Sequence, residues 1–174
     1  MLLKIIIAIR KRIANPYKRA IIVSKQGVKM GVNCQVFPNV SFGSEPYLIQ
    51  IGNNVKITDG CTFITHDGGI EVIRNLKSLS NADLFGTIRV GNNVFFGNRC
   101  IIMPNVEIGD NVIIGAGSVV TKSILPNSVV VGVPARVIKS IDEYYDKVEQ
   151  NIDFTKNLTL KDKREYLIEK YNLK

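Results

Sequence analysis

The one histidine of this sequence, His66, is the side chain best placed to take a proton from an acceptor near neutral pH. It stands in the segment Thr65-His66-Asp67-Gly68-Gly69. A catalytic base is commonly oriented by a carboxylate, and the candidates within reach by sequence are Asp67, Asp83, Glu45 and Asp59. Asp67 is adjacent, although aspartate before glycine commonly caps a turn. We therefore predict His66 as a general base, with Asp67 or Glu45 as its partner.

The remaining reactive side chains favour neither a metal site nor a covalent intermediate. Cys34, Cys61 and Cys100 are far apart in sequence, and a single histidine adds too few ligands for zinc. No serine or cysteine adjoins His66, and no nucleophile-elbow pattern occurs. We predict no metal and no secretory disulfide framework, which indicates a reducing, cytoplasmic compartment.

A six-residue period organises most of the chain and must position these groups. An apolar residue recurs at 22, 28, 34 and 40, at 51, 57 and 63, and at 90, 96, 102, 108, 114 and 120. Glycine follows it at 52, 91, 97, 109 and 115, where we expect corners that need glycine's conformational freedom. A small or β-branched residue stands four places after it, at 32, 55, 61, 94, 100, 106, 112 and 118. This pattern predicts flat, strand-like faces with two inward side chains per six residues, and three faces per turn.

Two interruptions and two ends frame the repeat. The longer interruption is a loop over residues 65–86, with His66 at its start. Glu45 lies in the shorter interruption, and we expect it to reach the same cleft as His66. We divide the chain into an N-terminal helix (1–20), the repeat domain (21–139) and C-terminal helices (140–174). The first C-terminal helix is expected over 141–151, and a capping box at 159–162 begins the second.

The segments 108–122 and 132–138 resemble the hexapeptide-repeat acyltransferases, which include many sugar acetyltransferases. The resemblance covers about residues 20–140 and is most specific over 86–139. It implies an all-β left-handed parallel β-helix, although parallel crossovers are generally right-handed. It also implies acetyl-CoA as donor, direct transfer without an acyl-enzyme, and a homotrimer with active sites between neighbouring subunits.

The same resemblance suggests binding residues. Those expected along the pantetheine arm are Gly97, Asn98, Ala116, Thr121 and Lys122; those expected near the adenine and phosphates are Pro134, Arg136 and Lys139. For the acceptor, Asn39 is a loose counterpart of an asparagine in the galactoside enzyme, and Asp83 is a further candidate. The stretches Ser-Glu-Pro-Tyr at 44–47 and Thr-His-Asp-Gly-Gly at 65–69 are similar to surface-polysaccharide acetyltransferases, such as those of capsule and O-antigen.

Three functions stay open at this point. The leading hypothesis is acetyl transfer from acetyl-CoA to a sugar hydroxyl of a surface polysaccharide. The second is N-acetylation of a nucleotide-linked amino sugar, whose amine needs a weaker base. The third is a β-helix used only as an assembly module, for which the histidine loop and a basic edge would be unnecessary.

Charge and the N-terminus bear on partners. The net charge is +8 and the pI about 9.5, which fits either simple solubility or an anionic partner: a phosphorylated cofactor, an acidic sugar or a membrane surface. Nucleic acid is disfavoured, because the chain has no tryptophan and no basic stripe interleaved with aromatics. The apolar residues 1–9, followed by Arg10, Lys11 and Arg12, are too few to span a bilayer. A helix packed on protein, or one in peripheral contact with the inner face of the membrane, fits them.

Overall fold

A computed structural model describes residues 14–173 of the chain as a set of short strands with helices at both ends and in one loop. Within these residues thirteen strands form three sheets. The first sheet contains β1 (Lys29–Met30), β3 (Ile49–Ile51), β6 (Ile88–Val90) and β9 (Val106–Ile108). The second contains β2 (Gln35–Val36), β4 (Lys56–Ile57), β7 (Val94–Phe96), β10 (Val112–Ile114), β12 (Ser128–Gly132) and β13 (Ala135–Ser140). The third contains β5 (Thr62–Phe63), β8 (Ile101–Ile102) and β11 (Val119–Val120).

The chain visits the three sheets in rotation, and each strand pairs in parallel with the strand one turn later. Val94 pairs with Val112, and Ile101 with Val119, so one turn takes eighteen positions there. This confirms the predicted three faces of six residues. The exception is β13, which turns back and pairs antiparallel with β12. Residues 135–139, expected inside the repeat domain, therefore leave the parallel coil as a hairpin.

The core lies inside the coil and consists of the two inward residues of each face. In β7, for example, Val94 and Phe96 are buried while Phe95 between them is exposed. The rings of Phe42 and Phe63 stack with centroids 5.0 Å apart, and Phe63 meets Phe96 edge-on at 5.4 Å.

Most predicted inward positions are buried, including all three cysteines, but two are not as expected. Val32 is 72% exposed, and Ile22 lies on a helix rather than on a strand. Ile22 precedes the coil, so the six-residue pattern places the start of the coil too early. Val32 lies beside Asn53 at a corner, because Met30 rather than Val28 pairs with Ile51, and the predicted register is therefore two positions off in the first turn.

The glycines that follow the apolar residues are required for a different reason from the one expected. Gly52, Gly97 and Gly109 are not among the residues with positive φ. Instead, the next turn approaches so closely that a Cβ would collide with it: one on Gly52 would lie 2.6 Å from the Gly91 oxygen, and one on Gly109 2.5 Å from the Pro126 nitrogen. Close stacking of turns, not backbone strain, excludes larger residues there.

The left-handed corners are formed instead by asparagines, which tolerate positive φ better than most residues. At the corner between the first and second sheets these are Asn33, Asn54, Asn93, Asn111 and Asn127, with φ between 55° and 58°. Their amides are hydrogen-bonded between turns, Asn93 to Asn111 and Asn111 to Asn127 at 2.9 Å each. This ladder fixes the corner and the register of successive turns.

Four α-helices and two short 3-10 helices, Pro46–Leu48 and Glu149–Asn151, complete the described chain. The first, α1 (Pro16–Lys25), is capped by Asn15 and continues past the expected boundary at residue 20. Residues 1–13, the first part of the predicted N-terminal helix, lie outside the described residues. The others are α2 (Ile70–Lys77) in the loop, α3 (Ile141–Val148) and α4 (Leu160–Lys170).

The end of the chain forms its own compact unit from Tyr145 onward. Thr159 caps α4 by accepting from the Asp162 N–H at 3.2 Å, as the capping box predicts. Of the helices described between residues 14 and 173, none combines the length and apolarity needed to cross a membrane.

Candidate active site

His66 lies where the chain leaves the third sheet after β5 and enters the loop. The loop is closed at its base: the Gly86 N–H donates to the Thr65 carbonyl at 2.8 Å, and the Asp67 N–H to the Leu84 carbonyl at 2.8 Å. His66 forms an antiparallel bridge with Phe85 between these two bonds. The paired base of the loop therefore fixes the backbone that carries the imidazole.

Glu45 is the carboxylate that contacts His66. Its Oε2 lies 3.3 Å from His66 Nδ1 and also accepts from the Thr65 hydroxyl at 3.0 Å. The Glu45 side chain is 17% exposed and that of His66 48%. Since Thr65 is fully buried, its hydroxyl holds the carboxylate from the core side and leaves the imidazole accessible.

The charge of Glu45 is stabilised by its neighbours. Hydrogen bonds from the Ser44 hydroxyl, then from Thr65 and His66, hold the pKa of Glu45 below its ordinary value. A carboxylate can only accept at Nδ1, so the proton of the neutral imidazole belongs on that nitrogen. The lone pair of Nε2 is then free to accept a proton.

A cavity of about 360 Å³ adjoins the pair, bounded by the loop. Its lining includes both His66 and Glu45, with Leu84 and Phe85 on the return of the loop. Phe85 is half exposed and is not paired with another aromatic ring among the described residues. The cavity thus offers an apolar wall and a polar wall side by side, a combination suited to a small polar ligand.

Arg74 of α2 holds the loop together. Its guanidinium contacts the carboxylates of Glu71 and Asp83, and its Nε donates to the Ala82 carbonyl. Asp83, a candidate for acceptor binding, lines the cavity but is engaged by this arginine. The loop expected over 65–86 therefore contains a helix that is tied to its return segment.

Two other candidate residues have different local roles. Asp67 lines the cavity, but its Oδ1 accepts from the Gly69 N–H at 2.8 Å, the turn-capping alternative considered from sequence. Asn39 donates from its amide to Asp59 at 2.9 Å and has φ 58°, so it is a corner residue. It is not among the residues that line the His66 cavity, and the structure does not bring the two together.

The candidate donor residues Gly97, Asn98 and Ala116 lie together at the corner between the second and third sheets. A Cβ on Gly97 would collide with the Ala116 backbone, and the Gly117 N–H donates to the Asn98 carbonyl at 2.8 Å. A Cβ on Gly117 would meet nothing within 4 Å, so this edge is open. Because these residues have small side chains or none, an extended ligand can lie close to the backbone along this edge.

The basic candidates lie at two further places. Thr121 and Lys122 follow β11, and Pro134, Arg136 and Lys139 lie on the β12–β13 hairpin. The Gly132 N–H donates to the Ser118 hydroxyl at 3.2 Å, which joins the hairpin to the small-residue corner. Within residues 14–173 Lys122 and Arg136 take part in no ion pair, so both charges are available to phosphate.

One protomer does not bring all of these groups together. His66 follows the third sheet, whereas Gly97, Asn98 and Ala116 precede it, so they occupy different corners of the coil. Asn39 lies on the corner of Gly97, two turns away along the coil.

Sequence reasoning missed three residues at the site: Thr65, Ser44 and Arg74. Thr65 and Ser44 support Glu45, and each is adjacent in sequence to a residue that was identified. The contact of Thr65 with Glu45 spans 20 positions, so it depends on one turn of the coil stacking on the next. Arg74 could have been suspected as a cation between two acidic residues of one loop.

Comparison with known proteins gives one family and several relatives. Residues 87–122 match the model of the bacterial transferase hexapeptide (six repeats). Protein CapG of Staphylococcus aureus is 45% identical over 151 residues, covering 86% of this chain and 87% of that protein. The galactoside O-acetyltransferase of Escherichia coli (strain K12) is 36% identical over 154 residues, covering 75% and 74%. Among solved structures, a galactoside acetyltransferase in complex with coenzyme A is 30% identical, covers 83% and 82%, and superposes with a TM-score of 0.52.

Proposed function

Because this chain belongs to the hexapeptide-repeat transferases and is an acetyl-CoA-dependent acyltransferase, we propose that it transfers the acetyl group to a sugar hydroxyl with His66 as general base. The observation that carries this proposal is the pair of His66 and Glu45 beside the loop cavity. Because Glu45 contacts Nδ1, the lone pair of Nε2 is free, and Nε2 is the atom that takes the proton.

The proposed reaction is a direct transfer. His66 Nε2 takes the proton of the acceptor hydroxyl as its oxygen bonds to the thioester carbonyl carbon. The tetrahedral oxyanion then collapses, the carbon–sulfur bond breaks, and the imidazolium returns its proton to the leaving thiolate. Glu45 acts as a positioning residue, since its carboxylate orients the ring and stabilises the imidazolium.

The donor is assigned to the edge formed by Gly97, Asn98 and Ala116, with Thr121 beyond it. Lys122 and Arg136 are proposed to meet the phosphates, with Pro134 and Lys139 nearby, because these exposed cations suit phosphate oxygens. The separation of this edge from His66 supports a homotrimer, in which the histidine of one copy faces the donor edge of the next. We also infer that the coil is left-handed, as the family resemblance implies.

The acceptor is proposed to be a sugar of a surface polysaccharide. The stretch that contains Glu45 and the stretch that contains His66 are those similar to polysaccharide acetyltransferases, and they meet at one cavity. The galactoside O-acetyltransferase relative also acts on a sugar, according to its name. Asn39 and Asp83 remain candidates for the acceptor side.

Release of free CoA thiol is the direct test of the proposed acceptor class. With acetyl-CoA present, we expect release to rise with oligosaccharide repeat units that carry free hydroxyls. Nucleotide-linked amino sugars form the comparison set. If only these amines stimulated release, the chain would be an N-acetyltransferase, and if titration detected no binding of acetyl-CoA, it would be an assembly module.

The exchange Glu45→Gln tests the positioning role. The amide keeps an oxygen that can accept from Nδ1 but loses the negative charge, so we expect kcat to fall about 10- to 100-fold. The KM for acetyl-CoA should stay unchanged, because Glu45 is not among the residues assigned to the donor. Steady-state kinetics measure both.

Glu107→Gln is the matched control, since Glu107 forms an exposed ion pair with Arg89 on the first sheet. Its kcat should match that of the parent. Equal values of kcat in the two variants would remove Glu45 from the mechanism.

A further inference from the structure

The net positive charge of this chain arises entirely from its first 44 residues. No aspartate or glutamate precedes Glu45, whereas eight lysines and arginines do. That number equals the net charge of +8, so residues 45–174 are neutral in sum. Solubility alone would be served by charge spread over the surface. Segregation at one end indicates an anionic partner that meets this end.

The described part of this segment displays lysines and apolar side chains together. On α1, Ala20 and Val23 are buried, while Lys18 and Lys25 are exposed on the opposite side. Ile21 lies between these lysines along the helix and is 59% exposed. This arrangement lets an aliphatic side chain enter the interfacial layer of a bilayer while the lysines beside it meet the head groups.

The apolar surface continues beyond the helix. A groove of about 410 Å³ runs between α1 and the first turn of the coil, with Tyr17, Ile21, Met30 and Val32 in its lining. Val32, at 72% exposure, stands at the corner position that Asn53 and Asn92 occupy in the next two turns, so an apolar side chain replaces a polar one at this end. Lys29 is exposed at the same end of the coil, which places a third lysine beside this surface.

We propose that this end of the protein docks onto an anionic lipid bilayer. Lys18, Lys25 and Lys29 meet the head groups, and Ile21 and Val32 enter the interfacial layer. Charge complementarity selects a bilayer carrying negative lipids over a neutral one.

Co-sedimentation of the full-length protein with vesicles tests the docking. One set contains phosphatidylglycerol mixed with phosphatidylcholine, and the other phosphatidylcholine alone. We expect at least about tenfold tighter binding to the anionic vesicles, because each basic residue near such a surface strengthens binding about fivefold. High ionic strength should weaken that binding, since salt screens the attraction.

The triple variant Lys18→Glu/Lys25→Glu/Lys29→Glu should lose at least about tenfold in affinity for anionic vesicles. The matched control Lys156→Glu/Lys163→Glu/Arg164→Glu makes the same change in net charge at exposed residues elsewhere and should bind nearly as the parent does. Ile21→Ser/Val32→Ser should weaken binding but keep its salt dependence. Transfer to a water-soluble acceptor should persist in all three, which shows that the fold and active site are intact.

Two outcomes would overturn the proposal. One is equal binding of the parent to both kinds of vesicle, or equal loss in the two triple variants. The other is a fall in oligomer mass, by light scattering, in the Lys18/Lys25/Lys29 variant with vesicle binding retained. That second result would assign this surface to another copy of the chain.

Discussion

Replacement of His66 by alanine should lower kcat at least about a hundredfold, the scale of rate loss when a general base is removed. No other histidine exists to take over the proton. Because His66 is half exposed on a loop and is not among the residues assigned to the donor, its removal should leave folding and acetyl-CoA affinity nearly unchanged. Steady-state kinetics and calorimetric titration measure the two quantities separately.

Free imidazole provides the positive control for this variant. The side chain removed borders an accessible cavity, so added imidazole should restore part of the lost rate to His66→Ala but not accelerate the parent. A kcat equal to that of the parent in His66→Ala would refute the assignment of the base. Parent-like titration with acetyl-CoA is needed to exclude a general loss of structure.

The exchange Phe63→Ala should destabilise the protein by about 3–5 kcal/mol, the range for truncating a buried phenylalanine. Phe63 is fully buried and contacts both Phe42 and Phe96, so the missing ring opens a cavity between two turns of the coil. Domains are commonly stable by only about 5–15 kcal/mol, so this is a large fraction of the total. Chemical denaturation at fixed protein concentration measures the change.

Phe154→Ala is the matched control, because Phe154 is 92% exposed. Its free energy of unfolding should stay within about 0.5 kcal/mol of the parent value. Similar midpoints for Phe63→Ala and the parent would mean that the aromatic stack does not hold the coil together. The protein concentration must be fixed, since association stabilises the folded state by mass action.

The coil was predictable from sequence because the residues that recur every six positions are the ones buried in its core. Val94 and Phe96 recur in the pattern and point inward, since a strand alternates its two faces. The pattern failed at Val32 because its register is two positions off in the first turn: Met30 pairs with Ile51, which places Val32 at the corner beside Asn53. The asparagine ladder was missed because its spacing along the chain is not constant. Asn33 and Asn54 are 21 positions apart, whereas Asn93 and Asn111 are 18 apart, so a fixed period does not align them.

Less of the site was predictable. His66 stood out by its chemistry, and Glu45 by its place in an interruption that was expected to reach the same cleft. Thr65 is neither an acid nor a base, so nothing in the sequence marked it as part of a site. Its hydroxyl reaches Glu45 only when two consecutive turns are stacked. Asp67 was favoured by adjacency, yet neighbours along a turn point apart, and its carboxylate reaches the Gly69 N–H instead.

The paired base of the loop has an evolutionary consequence. Thr65 and Gly86 are hydrogen-bonded there, and Arg74 of α2 contacts Asp83 and the Ala82 carbonyl on the return segment. The loop is therefore held together by contacts within itself. An insertion of this kind can differ between relatives while the parallel coil that carries it stays the same. Selection could then alter which acceptor is modified by replacing about twenty residues, while the machinery for the donor is inherited intact.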